Sequence, residues 1–132
     1  MILAKHIMRH GAAVKSHTPA TTIVSRLSAT GLPGLCVIND ESEVIGVVTE
    51  FNILGALREG MKLDSFDVER IMTKDPVTAD VDTPAHELIK IMLVDNFSII
   101  PIVHGKKLAG VISRQMILDA YTSPEYYVFM DR

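Results

Sequence analysis

At 132 residues with 48% hydrophobic side chains, the chain has the size of one typical domain and ample material for a buried core, which excludes a disordered polymer. A formal net charge of -3 and 13 Lys and Arg scattered along the chain exclude the clustered basic surface that nucleic-acid phosphates require. One cysteine excludes an internal disulfide. The apolar start MILAKHIMRHGAA is too short for a signal segment and no run approaches the roughly 18 residues of a membrane span, so the expected compartment is the cytosol, with no membrane partner.

Near the N-terminus, His6 and His10 stand four apart, the spacing of a metal pair on one helix face, but no carboxylate or cysteine joins them at suitable spacing and a solvated helix face is expected. Thr18 suits an N-cap and Pro19 the first helical position, where a missing N–H matters least. Ile23, Val24 and Leu27 then form one apolar stripe, and Gly31 suits the left-handed conformation that closes a helix. Two strands follow, LCVI and VIGVV, β-branched and apolar enough to be buried on both faces, with Cys36 a small buried hydrophobe. The acidic loop NDESE, Asn39 to Glu43, reads as a solvated hairpin turn rather than a cation site. A second helix is expected from about Glu50 to Leu57. The connection from Arg58 to Arg70 carries Gly60 and mixed charge, yet Met61, Leu63 and Phe66 should keep it ordered.

The pattern then returns. Ile7-Met8 is echoed by Ile71-Met72 and Thr18-Pro19-Ala20 by Thr83-Pro84-Ala85, with Leu88, Ile89 and Met92 as the second stripe and Asn96 as its end. Strands SIIPIV and LAGVIS flank the turn HGKK, and a helix follows from about Arg114 to Tyr121. Most telling, GVVTEFNIL (Gly46 to Leu54) recurs as GVISRQMIL (Gly110 to Leu118), sixty-four positions on. Two readings stay open: duplication of a packing unit, which needs no ligand, and duplication of a binding site, which puts matching chemistry at matching positions.

The expected fold class is α/β, with repeats over 1–60 and 61–122 and an apolar C-terminal tail over 123–132. Neither half carries enough core to be stable alone, so the halves should pack sheet against sheet with pseudo-twofold symmetry. In the tail, Tyr126, Tyr127, Val128, Phe129 and Met130 are too apolar to float in water and should cover their own domain or another chain.

The order Ile-Met, Val77-Thr78, a Thr-Pro helix, Ile100-Pro101-Ile102-Val103, a Gly-containing turn and Gly110-Val111-Ile112-Ser113 resembles a cystathionine-beta-synthase (CBS) domain, and the first repeat resembles it too. From about Lys5 to Tyr121 the chain is similar to a tandem CBS pair, or Bateman module, of two β-α-β-β-α repeats. That resemblance implies regulation rather than catalysis. It implies an adenosine-containing ligand such as AMP, ADP, ATP or S-adenosylmethionine in the cleft between repeats, no required cofactor, and a regulated protein in trans. It also implies a homodimer formed through exposed helices, here FNILGAL and QMILDAY, which are apolar on more than one face. The competing reading is a ligand-free scaffold or dimerisation module whose nucleotide motifs have degraded.

In the family, the segment Gly-apolar-apolar-Thr/Ser-x-x-Asp carries the polar contacts, its hydroxyl reaching phosphate or ribose and its Asp accepting from ribose hydroxyls. The hydroxyls are present here as Thr49 and Ser113, but the Asp positions hold Asn52 and Met116. Asn can still bond a ribose hydroxyl without a charged acceptor's strength, whereas a thioether cannot replace a carboxylate. Thr49 and Asn52 therefore mark the better nucleotide candidate, and Ser113 and Met116 a pocket that is empty or takes a more apolar ligand. Val14, Lys15, Thr78 and Ala79 at strand entries, and Leu35, Cys36, Ile100 and Pro101 on second strands, match positions that line an adenine ring in the family. Core packing explains the apolar ones equally well, so Lys15, Thr49, Asn52, Thr78 and Ser113 carry the discrimination. For Thr49 and Ser113 the plain alternative is hydrogen bonding to nearby backbone. No enzyme is expected: His86-Glu87 lacks a second histidine four residues on, GKKLAG lacks the Walker spacing, and no nucleophile, base or metal cluster stands together by motif.

Overall fold

The apolar runs become strands flanked by helices, in the chain order α1 (Ala4–Ile7), β1 (Ala13–Lys15), α2 (Ala20–Thr30), β2 (Gly34–Ile38), β3 (Val44–Thr49), α3 (Glu50–Arg58), β4 (Thr73–Lys74), β5 (Ala79–Asp80), α4 (Ala85–Asp95), β6 (Ile99–His104), β7 (Lys107–Ser113) and α5 (Arg114–Thr122). Short 3-10 turns, Leu63–Ser65 and Val68–Arg70, order the connection after α3. The computed structural model describes residues 1–123, and the expected role of Tyr126 to Met130 lies outside the described residues.

Contacts divide the chain into Ala12–Pro76 and a second unit made of Met1–Gly11 together with the chain from Val77. The sequence repeats 1–60 and 61–122 and these units therefore differ: the segment leading into each repeat is built into the other repeat's unit. In the first unit the strand order is β1-β2-β3-β4, with β1 parallel to β2 and the remaining pairs antiparallel. A parallel pair needs a crossover, which α2 supplies. The second unit repeats this as β5-β6-β7, and Arg9 bridges Val111 where Thr73 pairs with Val47 in the first. Even the register shift between Val37 and Ile38 recurs, between Ile102 and Val103.

The central strands are buried on both faces, as their continuous apolarity requires. Leu35, Cys36, Val37, Ile100 and Ile102 expose nothing. Ile23, Val48, Ile53 and Val68 complete the buried interior of the first unit; Ile2, Ile7, Leu88, Met92, Ile112 and Ile117 gather around β6 in the second. Each such side chain contributes about 1.5–3 kcal/mol by leaving water. Val24, Leu27 and Ile89, expected on the buried stripes, are only half-buried.

Helix ends follow the sequence at one terminus and depart from it at the other. Gly31 and Asn96 adopt left-handed conformations with φ of 70° and 55°, closing helices of equal length, as expected. Thr18 and Thr83, however, do not cap: Pro19 and Pro84 hold the N-cap place with no side-chain cap bond. The reason is that backbone already serves the first helical donors. Ala20 N–H donates to Phe66 O at 3.1 Å and Ala85 N–H to Ile2 O at 2.8 Å, while Val68 N–H donates to Thr18 O and Ala4 N–H to Thr83 O, both at 2.8 Å. Thr18 Oγ1 turns instead to Lys15 O at 2.6 Å.

Candidate functional site

In GVVTEFNIL the strand β3 ends at Thr49, whose extended backbone hands the chain directly to α3. Asn52, one turn in, reaches back: its Oδ1 accepts from Thr49 N–H at 2.7 Å and from Thr49 Oγ1 at 3.1 Å. The two backbone-proximal bonds fix the amide's orientation, since only the carbonyl oxygen can accept. Both residues are half-buried, and among the described residues Asn52 Nδ2 donates to no protein group. The pair thus presents a hydroxyl and an amide donor at the mouth of a helix whose first turn also carries exposed Glu50.

In GVISRQMIL the same backbone bends from β7 into α5 with poorer partners. Ser113 is 4% exposed, accepts from Met116 N–H at 3.3 Å, and donates its own N–H to Met116 Sδ at 3.4 Å. A thioether is a weak acceptor, so this cap is looser than its counterpart, and its serine is buried.

The glycines of both motifs have a packing cause. A Cβ on Gly46 would stand 2.6 Å from Met72 Sδ, and one on Gly110 would stand 2.8 Å from Met8 Cγ. The recurring Ile-Met pairs therefore lie over the recurring glycines, and this part of the duplication serves packing.

The other expected residues are dispersed. Lys15 is exposed at the end of β1 with Nζ 3.3 Å from Asp40 Oδ1. Register places Lys15 level with Ile38 and Thr49 level with Gly34, so they flank opposite ends of β2, roughly 13 Å apart along the strand. Thr78 is exposed just before β5. Val14, Ala79, Leu35, Cys36, Ile100 and Pro101 are buried core residues. Burial pushes the Cys36 thiol up to about 12, which leaves no thiolate to act as a nucleophile.

Two apolar grooves run between helices. One, between α2 and α3, is lined by Val24, Leu27, Ile53 and Leu54; the other, between α4 and α5, by Ile89, Leu93, Ile117 and Leu118. Neither contains Thr49, Asn52 or Ser113. Phe51 and Leu93 beside them are 80% and 78% exposed.

His6 and His10 do not share a helix face, because α1 stops at Ile7; His6 Nδ1 instead accepts from Leu3 N–H at 2.9 Å. The loop NDESE is organised by Asn39, whose Oδ1 accepts from the N–H groups of Glu41 and Glu43. A cluster the sequence reading passes over unites His17, Asp67 and Glu69. No motif spacing signals it, since fifty positions separate His17 from Asp67.

Comparison with known proteins agrees with this architecture. The CBS domain family model matches residues 4–59 and 68–123. The chain is 31% identical over 114 residues to an uncharacterised 17.7 kDa protein of Acidianus ambivalens, covering 83% of this chain and 68% of that one. It is 32% identical over 85 residues to the uncharacterised protein YtoI of Bacillus subtilis, covering 64% of this chain but only 18% of YtoI. Among solved structures, an uncharacterised conserved protein from Pyrococcus horikoshii matches with TM-score 0.82 and 28% identity, over 92% of both chains. CBSX2 in complex with AMP matches with TM-score 0.80 and 22% identity, over 92% of this chain and 97% of that one. The CBS domain pair of protein MJ0100, in complex with 5'-methylthioadenosine and S-adenosyl-L-methionine, matches with TM-score 0.83 and 21% identity over the same shares. No helix among the described residues is long and apolar enough to cross a membrane.

Proposed function

The chain belongs to the CBS domain family and carries two of its repeats in tandem, and we propose that it is a regulatory module that senses an adenosine-containing ligand of the AMP, ATP or S-adenosylmethionine type and modulates a partner protein. The observation that carries this reading is the Thr49–Asn52 pair. A half-buried hydroxyl and an amide whose Nδ2 donates to no group among the described residues stand where a strand enters a helix, a setting suited to ribose or phosphate oxygens. Pairs of the same fold bind AMP in CBSX2 and adenosine compounds in MJ0100, which supports the ligand class. Sensing further requires that the ligand bind two states of the protein unequally.

The test is melting temperature against ATP, ADP, AMP, S-adenosylmethionine and a guanine nucleotide. Each is supplied at about a hundred times its dissociation constant, where specific binding adds about 2.7 kcal/mol. A rise of several degrees with one adenine ligand supports the reading, and no shift with any of them counts against it.

A second reading has its own observation. Phe51, Leu54 and Leu57 on α3 and Leu93, Val94 and Leu118 on α4 and α5 are exposed, and apolar helix surface of this kind marks an association site. In that reading the chain is a homodimerising scaffold. Leu54→Lys and Leu118→Lys should then lower the solution mass measured by light scattering, and an unchanged mass would argue against it.

A further inference from the structure

The two units differ at one corresponding place, where the loop before the long helix meets the segment leading into the other repeat. In the second unit this place holds Lys5 and Asp82, a cation against an anion, with Nζ 2.9 Å from Oδ1. The bridges Leu3↔Pro84 and Pro19↔Asp67 set the correspondence: His17 takes the place of Asp82, Glu69 that of Lys5, and Asp67 that of Leu3. The first unit thus turns two carboxylates toward one imidazole.

His17 Nδ1 stands 3.2 Å from Asp67 Oδ2 and 3.7 Å from Glu69 Oε2, and the three donor atoms all lie within 4.8 Å of one another. Asp67 Oδ1 is held by Glu69 N–H at 3.0 Å, which leaves Oδ2 for the imidazole side. Among the described residues, His17 is the sole ionisable group within ion-pair distance of either carboxylate. Where Lys5 balances the charge in one unit, no lysine or arginine among the described residues stands within ion-pair distance of the two carboxylates in the other. A tetrahedral ion about 2.0–2.2 Å from its N and O ligands sets those ligands about 3.4 Å apart, a value that the two distances bracket.

We infer that His17, Asp67 and Glu69 bind a divalent first-row transition metal of the zinc type, with water completing its coordination. The imidazole nitrogen selects against Mg2+ and Ca2+, which take all-oxygen sets, and the two carboxylates neutralise the ion's charge. Such an ion ties the segment from Asp67 to Glu69 to the loop before α2. It adds to the backbone bonds from Val68 N–H to Thr18 O and from Ala20 N–H to Phe66 O.

The experiment is calorimetric titration of the chelator-stripped full chain with Zn2+, with Mg2+ as control. One Zn2+ per chain is expected, with no heat from Mg2+. His17→Ala and Glu69→Gln should each weaken it by about tenfold or more, since even outer-shell partners contribute that much, while His10→Ala leaves it unchanged. A double variant, His17→Asp with Glu69→Lys, rebuilds the pair found in the second unit and should keep the metal-free melting temperature while abolishing Zn2+ binding. Absence of Zn2+ binding by the native chain, native affinity in either His17 variant, or loss of binding in His10→Ala would each overturn the site.

Discussion

Asn52 Oδ1 accepts two hydrogen bonds from Thr49, from the backbone N–H at 2.7 Å and from the hydroxyl at 3.1 Å. One oxygen thus closes the start of α3 and engages the hydroxyl proposed above to meet a ligand. An adenosine ligand that takes the Thr49 hydroxyl must compete with this internal bond.

Asn52→Asp separates the two duties. One carboxylate oxygen can keep the bond from Thr49 N–H while the other accepts from ribose, and a negative charge at a helix N-terminus adds about 0.3–1 kcal/mol of stability. The expected result is a higher melting temperature without ligand and tighter AMP binding by calorimetry. Unchanged affinity would count against a ribose at this place.

Thr49→Val removes the hydroxyl and keeps the shape. Loss of one net hydrogen bond should cost about 0.5–1.5 kcal/mol of stability in urea unfolding. Nucleotide affinity should fall by a larger factor than in Ser113→Val, where the serine is buried at 4% exposure. Equal affinities in the two variants would remove Thr49 from the site.

At the strand glycines the prediction concerns packing. Gly110→Ala sets a methyl against Met8 Cγ at 2.8 Å and Met8 Cβ at 3.0 Å, and Gly46→Ala sets one against Met72 Sδ at 2.6 Å and the backbone Thr73 O at 3.0 Å. Overpacking costs about 1–3 kcal/mol, and both substitutions should fall in that range. Adding Met8→Ala to Gly110→Ala should recover part of the loss, a coupling of about 0.5–3 kcal/mol that a double-mutant cycle in urea would measure.

Acid should weaken the second unit through two groups around Lys5. The hydrogen bond and charge of Lys5 hold the Asp82 carboxyl below its ordinary 3.8, so its contribution is present above that value and is lost as pH falls through the lowered one. Burial, and then the Lys5 charge, lower the His6 imidazole from 6.5; the unfolded chain takes up that proton first, and stability declines as pH falls through 6.5. Unfolding followed from about pH 7 to pH 3 should show a shallower loss in Lys5→Met, which removes a cause of both shifts. A parallel profile would contradict this account.

The repeat, the element order and the helix ends were legible because each rests on local chemistry. Gly31 and Asn96 announce left-handed caps by residue type, and the strands by unbroken apolarity. The Thr-Pro starts misled because Phe66 and Ile2, both remote in sequence, deliver the carbonyls that receive the helix donors. The site was legible only in part: Thr49 and Asn52 do meet one turn apart, whereas strand register, which local pattern does not encode, carries Lys15 to the far end of β2. The same long-range pairing hid His17, Asp67 and Glu69.

That Met1–Gly11 belongs with the chain beyond Val77, while Ala12–Pro76 contains every strand of its own sheet, sets an order of events at the ribosome. All four strands of the inner unit's sheet have been made once Pro76 emerges. The amino-terminal segment must stay unpaired until Thr83 and Ala85 have been made, and for that interval Ile2 and Ile7 are apolar groups awaiting a partner, the kind of transient exposure that chaperones recognise.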